Sequence, residues 1–223
     1  MLRTGRVWSC SLAVVTAAVL AGCAAPSRLA APPQSPAARR AAIEAVLSWE
    51  ARGRLALKTQ TAGGQTSGGR ASSGQASSGQ GSFVWTQTGD LTVLRVAGPF
   101  GAGAYEIRWD PAGLRVLSGR GEVRAEYTGP GAAEGFLMEQ LGWSLPVANA
   151  RHWLLGLAGP DSGAVETLDG DGLLLTLQQD GWHVHYDEYR AQGTLALPRK
   201  LMLESDSGRI RLVVDQWQFA SLP

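Results

Sequence analysis

The chain has 223 residues, which is room for one domain or two small ones; 44% are apolar and 17% are charged. This composition excludes a disordered polyelectrolyte and supplies enough apolar material for a core. The formal net charge of +1 provides no large basic field for nucleic-acid binding, so we expect no nucleic-acid partner. The two cysteines, Cys10 and Cys23, exclude a disulfide framework.

The first 22 residues have the pattern of a secretion signal. Arg3 and Arg6 make the amino-terminal region positive, and residues 12–21 form an apolar stretch too short to span a bilayer. The stretch ends in Leu-Ala-Gly-Cys, which resembles a bacterial lipobox. This predicts a lipoprotein signal peptide over residues 1–22 and acylation of Cys23. An ordinary secretion signal with a chance cysteine is the less favoured alternative.

A lipidated flexible tether is predicted over residues 23–37, because prolines among small residues interrupt any helix. Cleavage before Cys23 leaves 18 basic against 19 acidic residues. By resemblance to bacterial sorting rules, the absence of Asp after Cys23 predicts release from the inner membrane and an outer-membrane location on the periplasmic side. The remaining residues, 38–223, are predicted to form one domain.

A short helix is predicted at the start of this domain, from about Pro36 to Trp49. Ile43, Val46 and Leu47 have helical spacing and would share its apolar face, with Arg39 pointing elsewhere. Strand-like alternation begins near residue 51.

The next segment, residues 62–82, is of low complexity. Gly and Ser make up 13 of its 21 residues. The segment therefore has too few apolar side chains to offset the entropy that is lost when the chain is ordered. We therefore predict a disordered loop between two strands. A phosphate-binding function is disfavoured because the segment lacks the GxxxxGK[ST] spacing.

Short strands and tight turns fill most of the remaining sequence. Turn residues such as Asp180-Gly181 separate runs of alternating apolar and polar residues, which predicts an antiparallel meander of about ten or eleven strands with helices inserted halfway. The predicted strands are 82–88, 91–97, 103–109, 113–118, 122–128, 163–168, 172–178, 182–189, 194–205 and 209–218, and the predicted helices are 132–141 and 147–155.

The sequence contains few combinations of residues that could carry catalysis. There is no GxSxG, HExxH, CxxC or dinucleotide-binding pattern, so we predict no enzyme activity, no catalytic residue and no cofactor. His183, His185 and Asp187 alternate on one strand and could in principle hold zinc. The same alternation is expected if these three face water while Trp182 and Val184 face the core, and we therefore predict no metal site.

Apolar and aromatic residues alternate on several strands and would share one face of a curved sheet. Tyr105, Ile107 and Trp109 form one such set, and Phe83 and Trp85 form another. The pattern is compatible with a solid core and with an apolar cavity beneath the two mid-chain helices.

The loop Gly98-Pro99-Phe100-Gly101 places one large apolar residue between glycines. In a membrane-tethered protein an exposed Phe100 could insert into a bilayer, although a loop folded back onto the protein is the usual arrangement.

Several of these segments, in order and spacing, resemble the LolB family of outer-membrane lipoprotein receptors of Gram-negative bacteria. The matching pieces are the lipobox at Cys23, Trp49 with Arg52-Gly53-Arg54-Leu55, Phe83-Val84-Trp85-Thr86-Gln87, Gly98-Pro99-Phe100-Gly101, Leu141-Gly142-Trp143-Ser144-Leu145-Pro146, Trp153-Leu154-Leu155-Gly156-Leu157, Gln179-Asp180-Gly181-Trp182, Leu197-Pro198-Arg199-Lys200 and Arg211-Leu212-Val213 with Trp217. The long Gly/Ser insert is the main departure from the family pattern.

The resemblance implies a mainly β fold, an incompletely closed antiparallel β-barrel with a helical lid over a hydrophobic cavity. Strand parity then selects the residues that would line an acyl-chain cavity, namely Trp85, Leu94, Val96, Ile107, Trp109, Val184 and Tyr186. The predicted lid residues are Phe136, Leu137, Leu141 and Trp153. In such proteins the loop at residues 98–101 promotes membrane insertion through one exposed apolar residue, here Phe100.

The resemblance also implies a function. Similar proteins accept the acyl chains of lipoproteins from a periplasmic carrier of the LolA kind and deliver them to the inner leaflet of the outer membrane. We expect a monomer that acts in this way. The alternatives are a scaffolding lipoprotein with a solid barrel core and no ligand, and a lipid-hydrolysing enzyme, against which the missing nucleophile–base pair argues.

Overall fold

The computed structural model of the chain describes residues 35–59, 77–98, 103–141, 144–160 and 163–220. Three helices and eleven strands lie within them. The helices are α1 (Pro36–Glu44), α2 (Ala132–Leu141) and α3 (Val147–Leu154). The strands are β1 (Ser48–Thr59), β2 (Ser77–Thr88), β3 (Leu91–Ala97), β4 (Tyr105–Asp110), β5 (Gly113–Ser118), β6 (Val123–Thr128), β7 (Val165–Leu168), β8 (Leu174–Gln179), β9 (Trp182–Gln192), β10 (Leu195–Ser205) and β11 (Gly208–Phe219).

All eleven strands form one sheet in the order β6-β5-β4-β3-β2-β1-β11-β10-β9-β8-β7. Every neighbouring pair is antiparallel. β6 and β7 are the two free edges, so the sheet is not closed, and α2 and α3 connect these edges. The predicted class, a mainly β, incompletely closed antiparallel sheet with helices between the sixth and seventh strands, is confirmed.

The predicted disordered loop over 62–82 is wrong at its carboxyl-terminal end. Residues 77–82 belong to β2 and pair with β1, for example Ser78 with Lys58. Gly81 fits this strand because a Cβ there would lie 2.2 Å from the carbonyl oxygen of Ala97. The composition of residues 77–82 did not predict a strand, because this part of β2 is stabilised by pairing with its neighbours rather than by its own side chains. Residues 62–76 of the predicted loop lie outside the described residues.

Helix α1 is shorter than predicted. Ser35 begins it by accepting a hydrogen bond from the Ala38 amide, and it ends at Glu44, so Trp49 lies in β1 instead. Leu47 therefore does not continue the apolar face, and it is 71% exposed.

Arg39 was predicted to point away from the apolar face of α1, and this is wrong. Its side chain lies on the same side as Ile43, and both are buried. The guanidinium donates to the carbonyl oxygens of Gly156 at 2.8 Å, Leu155 at 2.9 Å and Ala196 at 3.0 Å. Burial lowers the pKa of Arg39, but a guanidinium stays protonated in proteins. Arg39 thus joins α1 to the turn after α3 and to β10.

The interior consists of two apolar clusters of unequal size. The larger packs α1 and α3 against β1, β2 and β8–β11, and the smaller packs Ala133 of α2 against Leu114 and Val116 of β5. Trp109 of β4 touches both clusters. Within the described residues, no helix combines the length and apolar character needed to cross a bilayer.

Candidate functional site

One face of the sheet is apolar across almost its whole width, and we call it the inner face. Residues that pair directly across antiparallel strands project to the same side, so Leu55 of β1 lies beside Leu212 of β11 and Gly81 of β2. The register extends this relation strand by strand across the sheet. The large apolar residues so placed are Val116, Leu114, Ile107, Trp109, Leu94, Val96, Phe83, Trp85, Leu55, Leu57, Leu212, Ile210, Leu201, Leu203, Tyr186 and Val184.

Four indole rings form a row across one end of the inner face. The ring centroids of Trp49 and Trp85 are 6.2 Å apart, those of Trp85 and Trp109 are 5.4 Å apart, and those of Trp49 and Trp217 are 5.6 Å apart. Trp85 donates its indole proton to the buried Gln87 side chain at 3.2 Å. The row fills this end of the inner face. Trp49 and Trp217 were not predicted as site residues, because they meet only through the pairing of β1 with β11.

The part of the inner face beneath α3 is filled by the protein's own side chains. Trp153 and Val184 are 0% exposed and Tyr186 is 5% exposed. The Trp153 indole donates to Gln179 Oε1 at 2.8 Å, and the Tyr186 hydroxyl donates to the Trp153 carbonyl at 2.9 Å. Val184 and Tyr186, predicted to line a cavity, thus lie in packed core together with the predicted lid residue Trp153.

The inner face of β3 and β4 is more open. Leu94, Val96, Ile107 and Trp109, four of the predicted cavity residues, are only partly buried there. Trp85, the remaining one, is 8% exposed and belongs to the indole row. A second stretch of partly buried leucines and isoleucine continues this surface onto the neighbouring strands. It consists of Leu55, Leu57, Ile210 and Leu212.

Two clefts open at the surface near this half of the sheet. One, of about 480 Å³, is lined by Phe83, Val96 and Tyr105 of the inner face, but also by residues that project to the opposite face, among them Val84, Arg95, Glu106, Arg108 and Leu117. The other, of about 540 Å³, lies where β1, β2 and β11 run side by side, and Lys58, Arg209 and Arg211 border it on the opposite face of the sheet. Neither is lined by α2 or α3. The accessible apolar surface of the inner face consists of the partly buried side chains on β1, β3, β4 and β11, away from the packed region beneath α3.

Two polar contacts tie helix α3 to distant parts of the sheet. Arg151 forms an ion pair with Asp90 in the β2–β3 turn, with nitrogen and oxygen 3.3 Å apart. The Asn149 amide donates to Asp180, whose positive φ of 52° forms the predicted tight turn between β8 and β9. These contacts reach turns on strands that are far apart in the sheet order. α3 therefore bridges the inner face.

Helix α2 is attached more lightly. Phe136 packs edge to face on Tyr127 of β6, with ring centroids 5.7 Å apart, and Leu137 is partly buried. Glu134 accepts a hydrogen bond from the Val147 amide at 3.2 Å, which joins α2 to the start of α3. The side chain of Leu141, the remaining predicted lid residue, is outside the described part of the chain.

The predicted insertion loop connects β3 to β4. Gly98 is described and lies next to β2, its Cα 3.5 Å from the position that a Cβ on Gly81 would take. Pro99, Phe100 and Gly101 lie outside the described residues, as does Cys23. The start of the loop is therefore placed beside the open half of the inner face.

His183 and Asp187 are exposed and His185 is half-buried, whereas Trp182 and Val184 are buried, as alternation predicts. The distance from His185 Nε2 to Glu204 Oε2 is 3.9 Å. No cluster of three or more His, Cys, Asp or Glu side chains suited to a metal occurs within the described ranges.

Comparison with protein families and curated sequences gives one consistent result. The family described as outer membrane lipoprotein LolB matches residues 47–217. The outer-membrane lipoprotein LolB of Pseudomonas putida is 37% identical over 206 residues, which cover 90% of this chain and 91% of that protein. The protein of the same name from Nitrosococcus oceani is 34% identical over 212 residues, covering 93% of this chain and 96% of the relative.

Solved structures give weaker similarities. A DUF1329 family protein from Desulfovibrio piger superposes with a TM-score of 0.48 at 8% identity, covering 83% of this chain and 90% of that one. A LolA superfamily protein from Nitrosomonas europaea superposes with a TM-score of 0.41 at 8% identity, covering 78% and 87%.

Proposed function

The chain belongs to the LolB family of outer-membrane lipoproteins, and on that premise we propose that it is a receptor for acylated lipoproteins. It is a lipid-anchored protein of the outer membrane. In this proposal it accepts the acyl chains of other lipoproteins from a LolA-like periplasmic carrier and releases them into the inner leaflet of the same membrane.

The accessible apolar half of the inner face is the observation that carries this proposal. Leu94, Val96 and Ile107 stand side by side across β3 and β4 and remain partly exposed. Each methylene of an acyl chain gains roughly 0.8 kcal/mol when it leaves water, so ten methylenes correspond to about 8 kcal/mol. A surface of this kind removes the main barrier to moving a lipid chain through an aqueous compartment.

Helix α2 is proposed as the part of the lid that moves. It is held to the sheet by the small cluster around Ala133 and by an exposed hydrogen bond that the Tyr127 hydroxyl donates to Glu139, whereas α3 is held by the fully buried Trp153 and by polar contacts to two distant turns. Displacing α2 would expose Leu114 and Val116 and extend the apolar surface from β4 to the free edge at β6. The acyl chain is then proposed to lie across β3–β5, with α3 as a fixed wall.

No catalytic step is needed for such a transfer. Direction follows from relative affinity if the receptor holds the acyl chain more tightly than the carrier does and the bilayer holds it more tightly still. We propose that the protein works in this way and is not an enzyme.

The amino-terminal segment is proposed to fix the location. Cleavage of residues 1–22 and acylation of Cys23 would anchor the mature chain, because several acyl chains bind a bilayer far more tightly than one. Residues 23–37 would then connect the anchor to the domain over 38–223.

The loop that begins at Gly98 is proposed to contact the bilayer through Phe100 during delivery. Phe100→Glu should leave folding and acceptance of cargo intact but block transfer from the receptor into liposomes, because a charged side chain is costly in the apolar layer. Phe100→Leu is the matched control and should deliver normally. Normal delivery by Phe100→Glu would show that the loop does not have this role.

A scaffolding lipoprotein without a ligand remains the second candidate, and the packed region beneath α3 favours it. The two functions differ in ligand binding. An environment-sensitive apolar fluorophore should bind the receptor and be displaced by a diacylated peptide but not by the same peptide without acyl chains. Absence of displaceable binding would favour the scaffold.

A further inference from the structure

Three basic side chains lie together on the outer face of the sheet, opposite the inner face. Lys58 of β1 pairs directly with Arg209 of β11, and Arg211 lies two residues further along β11, opposite Ala56. Since side chains two residues apart project to the same side about 6.7 Å from one another, the three cations share one surface. We call Lys58, Arg209 and Arg211 the basic cluster.

This grouping differs from the rest of the outer face, where most arginines are held by a carboxylate. Those ion pairs are Arg52–Glu50, Arg54–Asp215, Arg95–Glu106, Arg115–Glu126 and Arg124–Glu122. In the basic cluster, Arg209 contacts Glu204, while Lys58 and Arg211 have no ion-pair partner among the described side chains. Like charges directly opposite each other across two strands are destabilising. Glu204 offsets this repulsion at Arg209, whereas Lys58 and Arg211 are left for an anion from outside the chain.

The basic cluster borders the cleft of about 540 Å³. Ser78, Gly79 and Gln80 of β2 form the opposite wall, and no carboxylate belongs to the described lining. The acidic side chains of the β10–β11 hairpin, Glu204 and Asp206, are not part of it. The cleft thus offers cations, small polar groups and the open space above a glycine.

The cleft is close to the start of the predicted insertion loop. Gly81 of β2 lies against Gly98, and Gly79, which lines the cleft, is two residues away along the same strand, about 6.7 Å. A surface that brings this loop to a bilayer also brings the basic cluster near the headgroups. The loop and the cluster can therefore act on one membrane surface.

We propose that the basic cluster binds the phosphate groups of anionic lipids at the membrane surface. The Arg211 guanidinium can hold a phosphate in a forked pair of hydrogen bonds, the Lys58 ammonium adds a point charge, and Arg209 can offer the donors that its contact with Glu204 leaves free. The choice of a lipid as occupant rests on the proposed function at the outer membrane. The two cations that lack a partner in the described part of the chain, and the cleft beside them, are features of the structure that do not depend on the proposed function.

The test uses the mature chain with Cys23→Ser, so that no acyl chain contributes to binding, and measures sedimentation with vesicles. Vesicles of phosphatidylcholine alone are compared with vesicles that also contain phosphatidylglycerol. Each basic side chain near an anionic surface strengthens binding by a factor of about five, so loss of the two cations without an ion-pair partner among the described residues, Lys58 and Arg211, accounts for about 25-fold, and K58Q/R209Q/R211Q should bind the anionic vesicles at least that much less tightly. The control R115Q/R124Q/R190Q removes the same charge elsewhere and should bind like the parent.

Three results would overturn the inference. The first is equal loss in the control variant, which would indicate net charge alone. The second is inhibition by inorganic phosphate beyond that by chloride of equal ionic strength, which would indicate a site for the free ion. The third is unchanged vesicle binding with loss of cargo acceptance, which would assign the cluster to an acidic protein surface. Failure of the proposed function appears separately, as failure of the Cys23→Ser parent to bind a diacylated peptide.

Discussion

The substitution Val96→Asp tests the open half of the inner face. Val96 of β3 is half-buried and stands between Phe83 and Tyr105 in the register, on the border of the 480 Å³ cleft. Val93 on the same strand is also half-buried but projects to the outer face, beside Arg108. Val93→Asp is therefore a matched control, because it makes the same change of side chain on the opposite face of the same strand.

The expected loss of affinity for an acyl chain can be worked out from the width of one strand. Neighbouring strands are about 4.8 Å apart, so an extended acyl chain that crosses β3 lays about four methylenes over it. At roughly 0.8 kcal/mol each, contact with this strand contributes about 3 kcal/mol, of which a charged and hydrated aspartate should remove at least half. Val96→Asp should therefore weaken binding of a diacylated peptide by about 10- to 100-fold.

Affinity is measured by displacement of an apolar fluorophore, with urea unfolding as the check on stability. Val93→Asp should keep affinity within about 2-fold, since it does not touch the inner face. Equal affinity of Val96→Asp and the parent, at equal stability, would refute the assignment of this surface to acyl chains. Equal loss in both variants would show that the effect comes from charge or stability instead.

Three further predictions concern stability. Arg39→Met should lower the free energy of unfolding by about 3–5 kcal/mol in urea titrations, because it leaves buried carbonyl oxygens without a donor, and Arg39→Lys should restore only part of the loss. Deleting residues 63–74 should raise stability by about 1 kcal/mol by shortening the β1–β2 connection; a fall of several kcal/mol would mean that the segment packs. Burial raises the pKa of both Tyr186 and Tyr189, so the unfolded chain releases these protons first and stability should fall above about pH 10. Tyr189→Phe should flatten that fall in alkaline titrations followed by circular dichroism, and an unchanged slope would contradict the assignment.

Sequence patterns predicted the fold well where local signals and tertiary structure agree. The bounds of α2, β3 and β5 were predicted correctly, since each is a clear run of one period between turn residues. The first residues of β2 were missed, because glycine and serine have no strand signal of their own and pair only in the presence of β1.

The site was harder to predict than the fold. Parity placed Val96 and Val184 on the same face, and the structure confirms that. It could not show that Val184 is fully buried beneath α3 while Val96 stays accessible, because the position of a helix over a sheet is set by distant contacts such as Arg151–Asp90. Arg39 was misjudged for the same reason: its acceptors are more than a hundred residues away in sequence.

Site-specific photo-cross-linking to a lipoprotein handed over by its carrier would test the central claim most directly. A photoreactive residue at Ile107, on the accessible inner face, is compared with one at Met202, which is half-buried and pairs beside Arg211 on the outer face. The account predicts cross-links from Ile107 to the acylated lipoprotein and none to the same protein without acyl chains. Cross-linking from Met202 instead, or from Ile107 regardless of acylation, would contradict it.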